Sequence, residues 1–461
     1  MTISRLLIIL RFFFNKKQIM QYKIFWCKVN KYYTDKWLNS EYLKDKQGIF
    51  VASCVVTDNA KRKWIKFIKD IFKNPTSNSS LAGGEQEHFK VFISWCWAFK
   101  NWEAQDDFFD LYPDLIKYKS RIEILWENPE EKKLEWKKEI KKLNLSKLKD
   151  KFKNTELYTK KFVLIQWGCD SFCSFCLTVV KRWRHYFRAK EDIAEDIKQF
   201  EQNWWKEIVL TWVNLTAWGL DSTNPELWKQ VEKQEEVVSK FSELLEYLLE
   251  NTTIKRLRIS SLWPEFIDKK CLKIFENTRI YPHFHFSAQS GSNQVLKNMK
   301  RHYTWNFMKK VMLDLRNIKR QDNIKIWIWA DLIVWFPGET EDDFQDTLNL
   351  IKDCKITKVH AFPFSAHKLW ENVPAWFYKE QISDKIKKDR MFEIMSLSEQ
   401  IRDDFIDENL WKELEVLIEV VKPDWKWKWW TQNYLEADDS NFKIISGEIK
   451  RNEIVVWKLI K

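Results

Sequence analysis

The chain has 461 residues, 45% of them hydrophobic and 31% charged, a balance that excludes the disordered, collagenous and membrane-embedded classes and allows about three domains. Lys and Arg total 78 against 66 Asp and Glu, a net charge of +12, which points to a polyanionic partner such as nucleic acid. Eight cysteines in a long, Lys-rich chain without a secretion signal point to metal or redox chemistry rather than disulfides.

Residues 1–19 hold an apolar run, Leu6 to Leu10, that Arg11 interrupts before Phe12 to Phe14. It is too short to span a bilayer and has no small-residue cleavage site. The stretch reads as an over-extended start, and the remainder as a cytoplasmic protein without a membrane anchor. Strand-like runs follow at Tyr22 to Phe25, Ile49 to Ser53 and Val91 to Ser94, with helical periodicity between them at Asn59 to Phe72. Each run leads into a cysteine: Cys27, Cys54 and Cys96. Thiols at the ends of three neighbouring parallel strands converge in space, so these three form a candidate ligand set. From Tyr112 to Lys160 the chain turns Lys- and Glu-rich and predicts a helical linker, centred on residues 126–157, after a first domain at 20–125.

A second region, residues 158–395, alternates strand and helix. Strands are expected at Phe162 to Gln166, Ile208 to Thr211, Leu257 to Ser260, His283 to Ser287, Ile324 to Val334 and Lys358 to Phe364. Helices are expected at Lys190 to Gln202, Val231 to Glu250, Pro264 to Asn277, Trp305 to Lys319 and Glu341 to Lys352. About six βα units predict a parallel, partial (β/α)6 barrel within an α/β fold. A helix near Ser383 to Glu408 leads to a tail, within residues 396–461, of short alternating runs that fit a small β-barrel.

The most specific motif is Cys169-Asp-Ser-Phe-Cys173-Ser-Phe-Cys176, directly after the strand-like KFVLIQ. Three thiolates at C-x3-C-x2-C spacing suit a [4Fe-4S] cluster with one iron left open to a chelating small molecule. Zinc would call for a fourth ligand, and a packing role for the thiols is the third reading. Cys271 and Cys354 lie in helical patterns without motif context and read as packing thiols.

On these residues the chain resembles the radical S-adenosylmethionine superfamily. Within it, Ser287 to Ser292 (SAQSGS) and Asp331 to Thr340 (DLIVWFPGET) are similar to signature stretches of the methylthiotransferases. The segments around Cys27, Cys54 and Cys96 resemble that subgroup's N-terminal cysteine domain, and the tail resembles its RNA-binding TRAM barrel. The resemblance implies two [4Fe-4S] clusters, on Cys27, Cys54, Cys96 and on Cys169, Cys173, Cys176, with S-adenosylmethionine at the second. It also implies an electron donor such as flavodoxin or ferredoxin, and a monomer acting on the anticodon loop of tRNA. Trp204-Trp205-Lys206-Glu207 resembles the segment along the cofactor's methionine moiety, which makes Glu207 the expected partner of its amino group. Gln289, Ser290 and Asp331 are further cofactor-site candidates. Arg182, Arg184, Lys422, Lys426 and Lys428 are expected at RNA phosphates.

Cys27-Lys-Val-Asn30 and Thr57-Asp-Asn-Ala-Lys-Arg-Lys63 are similar to the family that acts on N6-threonylcarbamoyladenosine. The implied activity is addition of a methylthio group to C2 of that base. Isopentenyladenosine or a ribosomal protein is the alternative substrate, and a non-catalytic RNA-binding protein is the alternative of another class. At Ser365 to Lys368 the chain has Lys where the family more often carries Arg.

Composition holds one anomaly: 8 Gly but 28 Trp, where Gly is ordinarily about 7% of residues. Aligned to the family motifs, Gly is expected at Trp26, Trp95, Trp183, Trp204 or Trp205, Trp212, Trp335 and Trp370. The pattern predicts a decoding change, a UGA codon written as Trp where the source reads Gly. It also predicts that several of these residues occupy backbone conformations suited to glycine.

Overall fold

The computed structural model describes residues 20–25, 28–40, 42–43, 46–53, 58–73, 89–94, 107–125, 158–177, 185–221, 224–233, 239–365, 373–378, 384–419, 429–438 and 440–460. The chain divides into two compact units, residues 1–155 and 156–461.

In the first unit, β1 (Gln21–Ile24), β2 (Gly48–Ala52), β3 (Lys90–Ser94) and β4 (Ile122–Leu125) pair in that order, all parallel. The near-continuous apolar runs GIFVA and KVFIS are buried over almost their whole length, as strands covered on both faces must be. Helices Lys28–Leu38 and Asp58–Lys73 follow β1 and β2, and the second buries Trp64, Ile68 and Ile71. The three expected strands are present. The fourth corrects the reading of a helical stretch from Tyr112 onward: Pro113–Arg121 is a 3-10 helix and Ile122–Leu125 a strand. Four residues, Ile-Glu-Ile-Leu, are too few to stand out from a Lys- and Glu-rich surround. The expected start at 1–19 and the linker at 126–157 lie outside the described residues.

In the second unit six parallel strands follow one another in chain order: β5 (Lys161–Leu164), β6 (Glu207–Thr211), β7 (Arg256–Ile259, continued by Ser261–Leu262), β8 (His283–Gln289), β9 (Trp327–Val334) and β10 (Lys358–Pro363). Sequential parallel order with intervening helices is the topology of a partial (β/α) barrel. Helix Glu341–Asp353 is a clear case of local sequence setting an element. Thr340 and Asp343 form a reciprocal capping box, three acidic residues fill the first turn, and Phe344, Leu348 and Ile351 face the core. The single helix expected over Val231 to Glu250 is instead two, Pro225–Glu232 and Lys240–Asn251, each capped by its own Asn224 or Ser239.

The tail builds an antiparallel module in which β11 (Glu413–Leu417) pairs β13 (Ile454–Leu459), which pairs β12 (Phe442–Ser446). Its core of Leu414, Val416, Trp429, Trp457 and Leu459 packs on Trp327 and Phe405. Trp327 is the first residue of β9, and His283, first in β8, stacks on Tyr434 with ring centroids 4.1 Å apart. The module is thus seated on the N-terminal end of the barrel strands. Long helix Asp384–Asp407 leads into it, and no helix among the described residues is long and apolar enough to cross a membrane.

Two of the named tryptophans take backbone conformations that favour glycine. Trp204 and Trp335 have φ of 73° and 65°, in the left-handed region where a side chain costs about 1–2 kcal/mol and glycine nothing. Of Trp204 and Trp205, it is therefore Trp204 that takes the glycine-like place. Trp212 is not left-handed, whereas Trp411, which the sequence did not single out, is. Among the described residues, the buried indole N–H groups of Trp64, Trp327, Trp329 and Trp335 find no acceptor, although buried indoles ordinarily do. Trp26, Trp95, Trp183 and Trp370 lie outside the described residues.

Trp204 is 80% exposed, so little packing is lost with its side chain. Trp204→Gly is expected to raise unfolding free energy by about 1–2 kcal/mol in urea titration. An unchanged or lowered midpoint would contradict the strain assigned to this position.

Candidate functional site

The cysteine loop leaves the first barrel strand through Gly168, whose φ of 67° allows the sharp exit. Cys169 and Cys173 are buried and Cys176 is half-buried, and none of the three is in a disulfide among the described residues. The loop is pinned to the far side of the barrel. Ser174 donates its backbone N–H to Met299 O at 3.1 Å and its hydroxyl to Asn298 O at 2.8 Å, and accepts at its own carbonyl from Ala375 N at 2.9 Å. These partners lie beyond the C-terminal ends of β8 and β10, so the loop bridges across the strand mouth. There open parallel sheets place their ligands.

Burial pushes the Cys173 thiol up to about 12, with the Arg301 guanidinium opposing it, and raises Cys169 in the same way. The three thiols interact electrostatically with one another. Among the described residues no three Cys, His, Asp or Glu groups are placed to hold a single metal ion. A lone tetrahedral zinc draws its sulfurs to within roughly 3.8 Å of one another, given a Zn–S bond of about 2.3 Å. A cube instead engages each thiolate at a different iron and so spreads them. A donor set made only of three thiols on one loop fits an iron–sulfur cluster with one iron left open, whereas a zinc site would call for a fourth ligand.

Arg301 is the site residue that sequence reading missed. Its Nη1 lies 3.6 Å from Cys173 Sγ, its Nη2 donates to Ser287 O at 3.0 Å, and its Nε meets the Tyr303 hydroxyl at 3.1 Å. The guanidinium carbon also lies 3.5 Å from the Trp263 ring centroid. Nothing local in LKNMKRHYT marks this arginine out, since it lies 128 residues from its thiol partner. Glu265, also missed, is buried at 4% exposure, with neither carboxylate oxygen hydrogen-bonded among the described residues.

The predicted residues separate. Gln289 and Ser290 do lie at the C-terminal mouth, just past a register shift at the end of β8. Gln289 has φ 67°, and the buried Ser290 hydroxyl is 3.4 Å from Thr347 Oγ1. Gly291 follows, where a Cβ would come within 2.5 Å of the backbone of Asp346 and Thr347. Asp331 lies within β9, 2.9 Å from His285 Nε2 and 3.4 Å from His360 Nδ1 on the flanking strands. Burial alone would raise its carboxyl, but the two imidazoles outweigh that and hold it well below the usual range.

Glu207 requires a correction. It opens β6, and four residues at about 3.3 Å each place it roughly 13 Å from that strand's C-terminal end. There its carboxylate accepts from Arg256 Nε at 3.0 Å and Arg258 Nε at 2.9 Å, all three groups being buried. Burial raises its carboxyl, but Arg258, Lys160 and Arg256 prevail and hold it far below the usual range. Glu207 is therefore an internal counter-ion at the opposite end of the barrel from the cysteines. Trp212 instead stands behind the cysteine loop, its indole donating to Gly168 O at 2.5 Å. Cys271 and Cys354 are buried, as packing thiols should be. Cys27, Cys54, Cys96, Arg182, Arg184, Lys422, Lys426 and Lys428 lie outside the described residues.

The backbone leading to the first three of these is described. Phe25 N donates to Ala52 O and Ser53 N to Ser94 O, each at 3.1 Å. The buried Asn30 amide donates to Ser53 O at 2.7 Å and to Phe25 O at 3.4 Å. The strands that lead into the three cysteines are thus tied side by side within two residues of them.

Fold and thiol loop together define an α/β-barrel protein with a three-cysteine loop across the C-terminal mouth of its strands. The comparisons agree. Residues 163–351 match the family model for the radical SAM superfamily. A threonylcarbamoyladenosine tRNA methylthiotransferase of Aquifex aeolicus is 31% identical over 302 residues, 65% of this chain and 67% of that protein. Its counterpart from Treponema pallidum is 32% identical over 53% of this chain and 46% of its own length. A tRNA-2-methylthio-N(6)-dimethylallyladenosine synthase of Desulforamulus reducens is 30% identical over 65% and 58%. The last two matches thus take in only about half of each relative. The chain belongs to the radical S-adenosylmethionine superfamily, in its methylthiotransferase family.

Two outcomes follow from the site. Glu207→Gln removes the buried carboxylate that pairs both Arg256 and Arg258 and is expected to cost about 3–5 kcal/mol in chemical unfolding. S-adenosylmethionine affinity in equilibrium dialysis should stay unchanged; weakened binding without loss of stability would restore the cofactor role.

For Glu265, burial raises the carboxyl from 4.5 to about 7, with Arg301 opposing. A carboxyl raised in the folded state contributes fully below about 4.5, and that contribution is lost as pH rises through about 7. Against Glu265→Gln, the wild type should therefore lose on the order of 3 kcal/mol between those pH values. Parallel pH profiles for the two proteins would contradict this.

Proposed function

We propose that the chain is a tRNA methylthiotransferase that adds a methylthio group to C2 of N6-threonylcarbamoyladenosine beside the anticodon. The observation that carries the reading is the three-thiol loop pinned across the mouth of a parallel barrel, in a chain with a second trio of strand-end cysteines. C2 of adenine carries a C–H bond that is neither acidic nor electrophilic, so general acid–base or nucleophilic side chains offer no route to it. When bound, a [4Fe-4S] cluster with an open iron supplies the electron that cleaves S-adenosylmethionine to a carbon radical.

The chain's own residues do the rest. Cys169, Cys173 and Cys176 hold that group. The Ser174 contacts keep its loop over the strand ends, and the packed barrel beneath excludes water from a reactive site. Cys27, Cys54 and Cys96 hold the second cluster, at which the sulfur for insertion is carried. Asn30 ties the chain beside Cys27 to the segment before Cys54. Arg182, Arg184, Lys422, Lys426 and Lys428 contact tRNA phosphates, in line with the +12 charge. An electron donor of the flavodoxin or ferredoxin kind, a monomeric state and a cytoplasmic setting belong to the same reading.

Relatives of both adenosine types match at about 30% identity. The choice of threonylcarbamoyladenosine rests on Cys27 to Asn30 and Thr57 to Lys63. Isopentenyladenosine is the second reading, supported by the Desulforamulus relative.

Expression in a host stripped of its own enzyme, followed by nucleoside mass spectrometry of total tRNA, tests the assignment. A methylthio gain on threonylcarbamoyladenosine that disappears in Cys173→Ala is expected. A gain on isopentenyladenosine instead transfers the substrate to the second reading, and a gain on neither contradicts both.

A further inference from the structure

We infer that Arg301 is a positioning residue that sets the reduction potential of the cluster held by Cys169, Cys173 and Cys176. The inference rests on the cluster reading above. Five buried arginines occur among the described residues: Arg256, Arg258, Arg301, Arg320 and Arg390. Four are ion-paired to a carboxylate at 3.0 Å or less: Arg256 and Arg258 with Glu207, Arg320 with Asp322 and Arg390 with Glu339. Arg301 alone has no such partner among the described residues. A buried cation with no carboxylate in hydrogen-bond contact is costly, so its placement favours negative charge at the sulfur it faces, as a cluster-bound thiolate would supply.

Its geometry says where that charge sits. Nε is tethered to the Tyr303 hydroxyl and Nη2 to Ser287 O, and the guanidinium carbon lies over the Trp263 ring. Tyr303 is itself fixed by contacts of its hydroxyl to Ser287 O at 3.0 Å and Ala288 O at 2.9 Å. What remains is Nη1, aimed at Cys173 Sγ at 3.6 Å. The buried Glu265 carboxylate interacts with Arg301 electrostatically but is not hydrogen-bonded to it, so it leaves this donor free for the sulfur. The whole arrangement lies within packed structure, so the charge is poorly screened by solvent.

The consequence has a definite sign. One-electron reduction adds a negative charge to the cluster and its thiolates, with no bond to the protein made or broken. A cation hydrogen-bonded to one of those thiolates favours the reduced form and raises the midpoint potential. Arg301 therefore makes the electron easier to deliver from a weak donor, and its removal shifts the midpoint downward. A merely structural cross-link between β8 and the cysteine loop would leave the midpoint where it was.

The test is an anaerobic dithionite titration, followed by electron paramagnetic resonance, of reconstituted wild type, Arg301→Lys, Arg301→Gln and Tyr303→Phe. The signal followed is the one absent from the Cys169, Cys173 and Cys176 triple alanine variant. Arg301→Gln is expected to disfavour reduction at least tenfold, equal to about 59 mV for one electron. Arg301→Lys should fall by less, because the charge is kept. An unchanged midpoint in a cluster-bearing Arg301→Gln overturns the inference and leaves the cluster reading intact. If that variant assembles no cluster, Tyr303→Phe decides, since it loosens the guanidinium without removing it: a lowered midpoint supports the inference and an unchanged one overturns it. A wild type without any cluster overturns the underlying reading and this inference together.

Discussion

Three thiols on one loop become a ligand set only when the loop is fixed, and here Ser174 fixes it. Its backbone and hydroxyl reach Asn298, Met299 and Ala375, beyond the ends of the fourth and sixth barrel strands. A segment that follows the first strand is thereby held across the mouth of the others. Burial then raises the Cys169 and Cys173 thiols. Burial opposes ionisation of both, so a metal that binds them must displace their protons. The same burial gives Arg301 its leverage, because a fixed charge acts more strongly in a dry interior.

The two ends of the barrel do different work. At the C-terminal mouth lie the cysteines, Arg301, Gln289 in its left-handed turn and Ser290. At the other end Glu207 balances Arg256 and Arg258, Lys160 meets Glu419 at 2.6 Å, and the Tyr281 hydroxyl reaches Glu415 at 3.1 Å. Glu415 and Glu419 belong to the tail, so this polar network fastens the antiparallel module to the strand starts. Asp331, between His285 and His360, lies along the same barrel wall. Division into a chemical end and a docking end follows from parallel topology, which collects loops of one kind at each end.

Much of this was legible in the sequence because it depends on local period and spacing. All six barrel strands fall within a few residues of where apolar runs placed them, and helix Lys190–Gln202 has the bounds its periodicity gave. The cysteine loop was legible from spacing alone. What was not legible depends on contacts distant in sequence. Arg301 meets a thiol 128 positions away, and Glu207 looked like a cofactor partner because its neighbours resemble a motif, although its place at a strand start assigns it to arginines from the next strand. Strand Ile122–Leu125 was hidden by length, with only four residues. The tryptophans lie between these cases: composition flagged them, yet only backbone angles distinguish Trp204 from Trp205 and reveal Trp411.

The central claim is that two separate trios of cysteines each hold an iron–sulfur cube. Iron and acid-labile sulfide per chain, measured after anaerobic reconstitution in the wild type and in the triple alanine variant at Cys169, Cys173 and Cys176, test it most directly. The account predicts about eight irons in the first and about four in the second, as two and one cubes require. Equal iron in both proteins, or none in either, would contradict it.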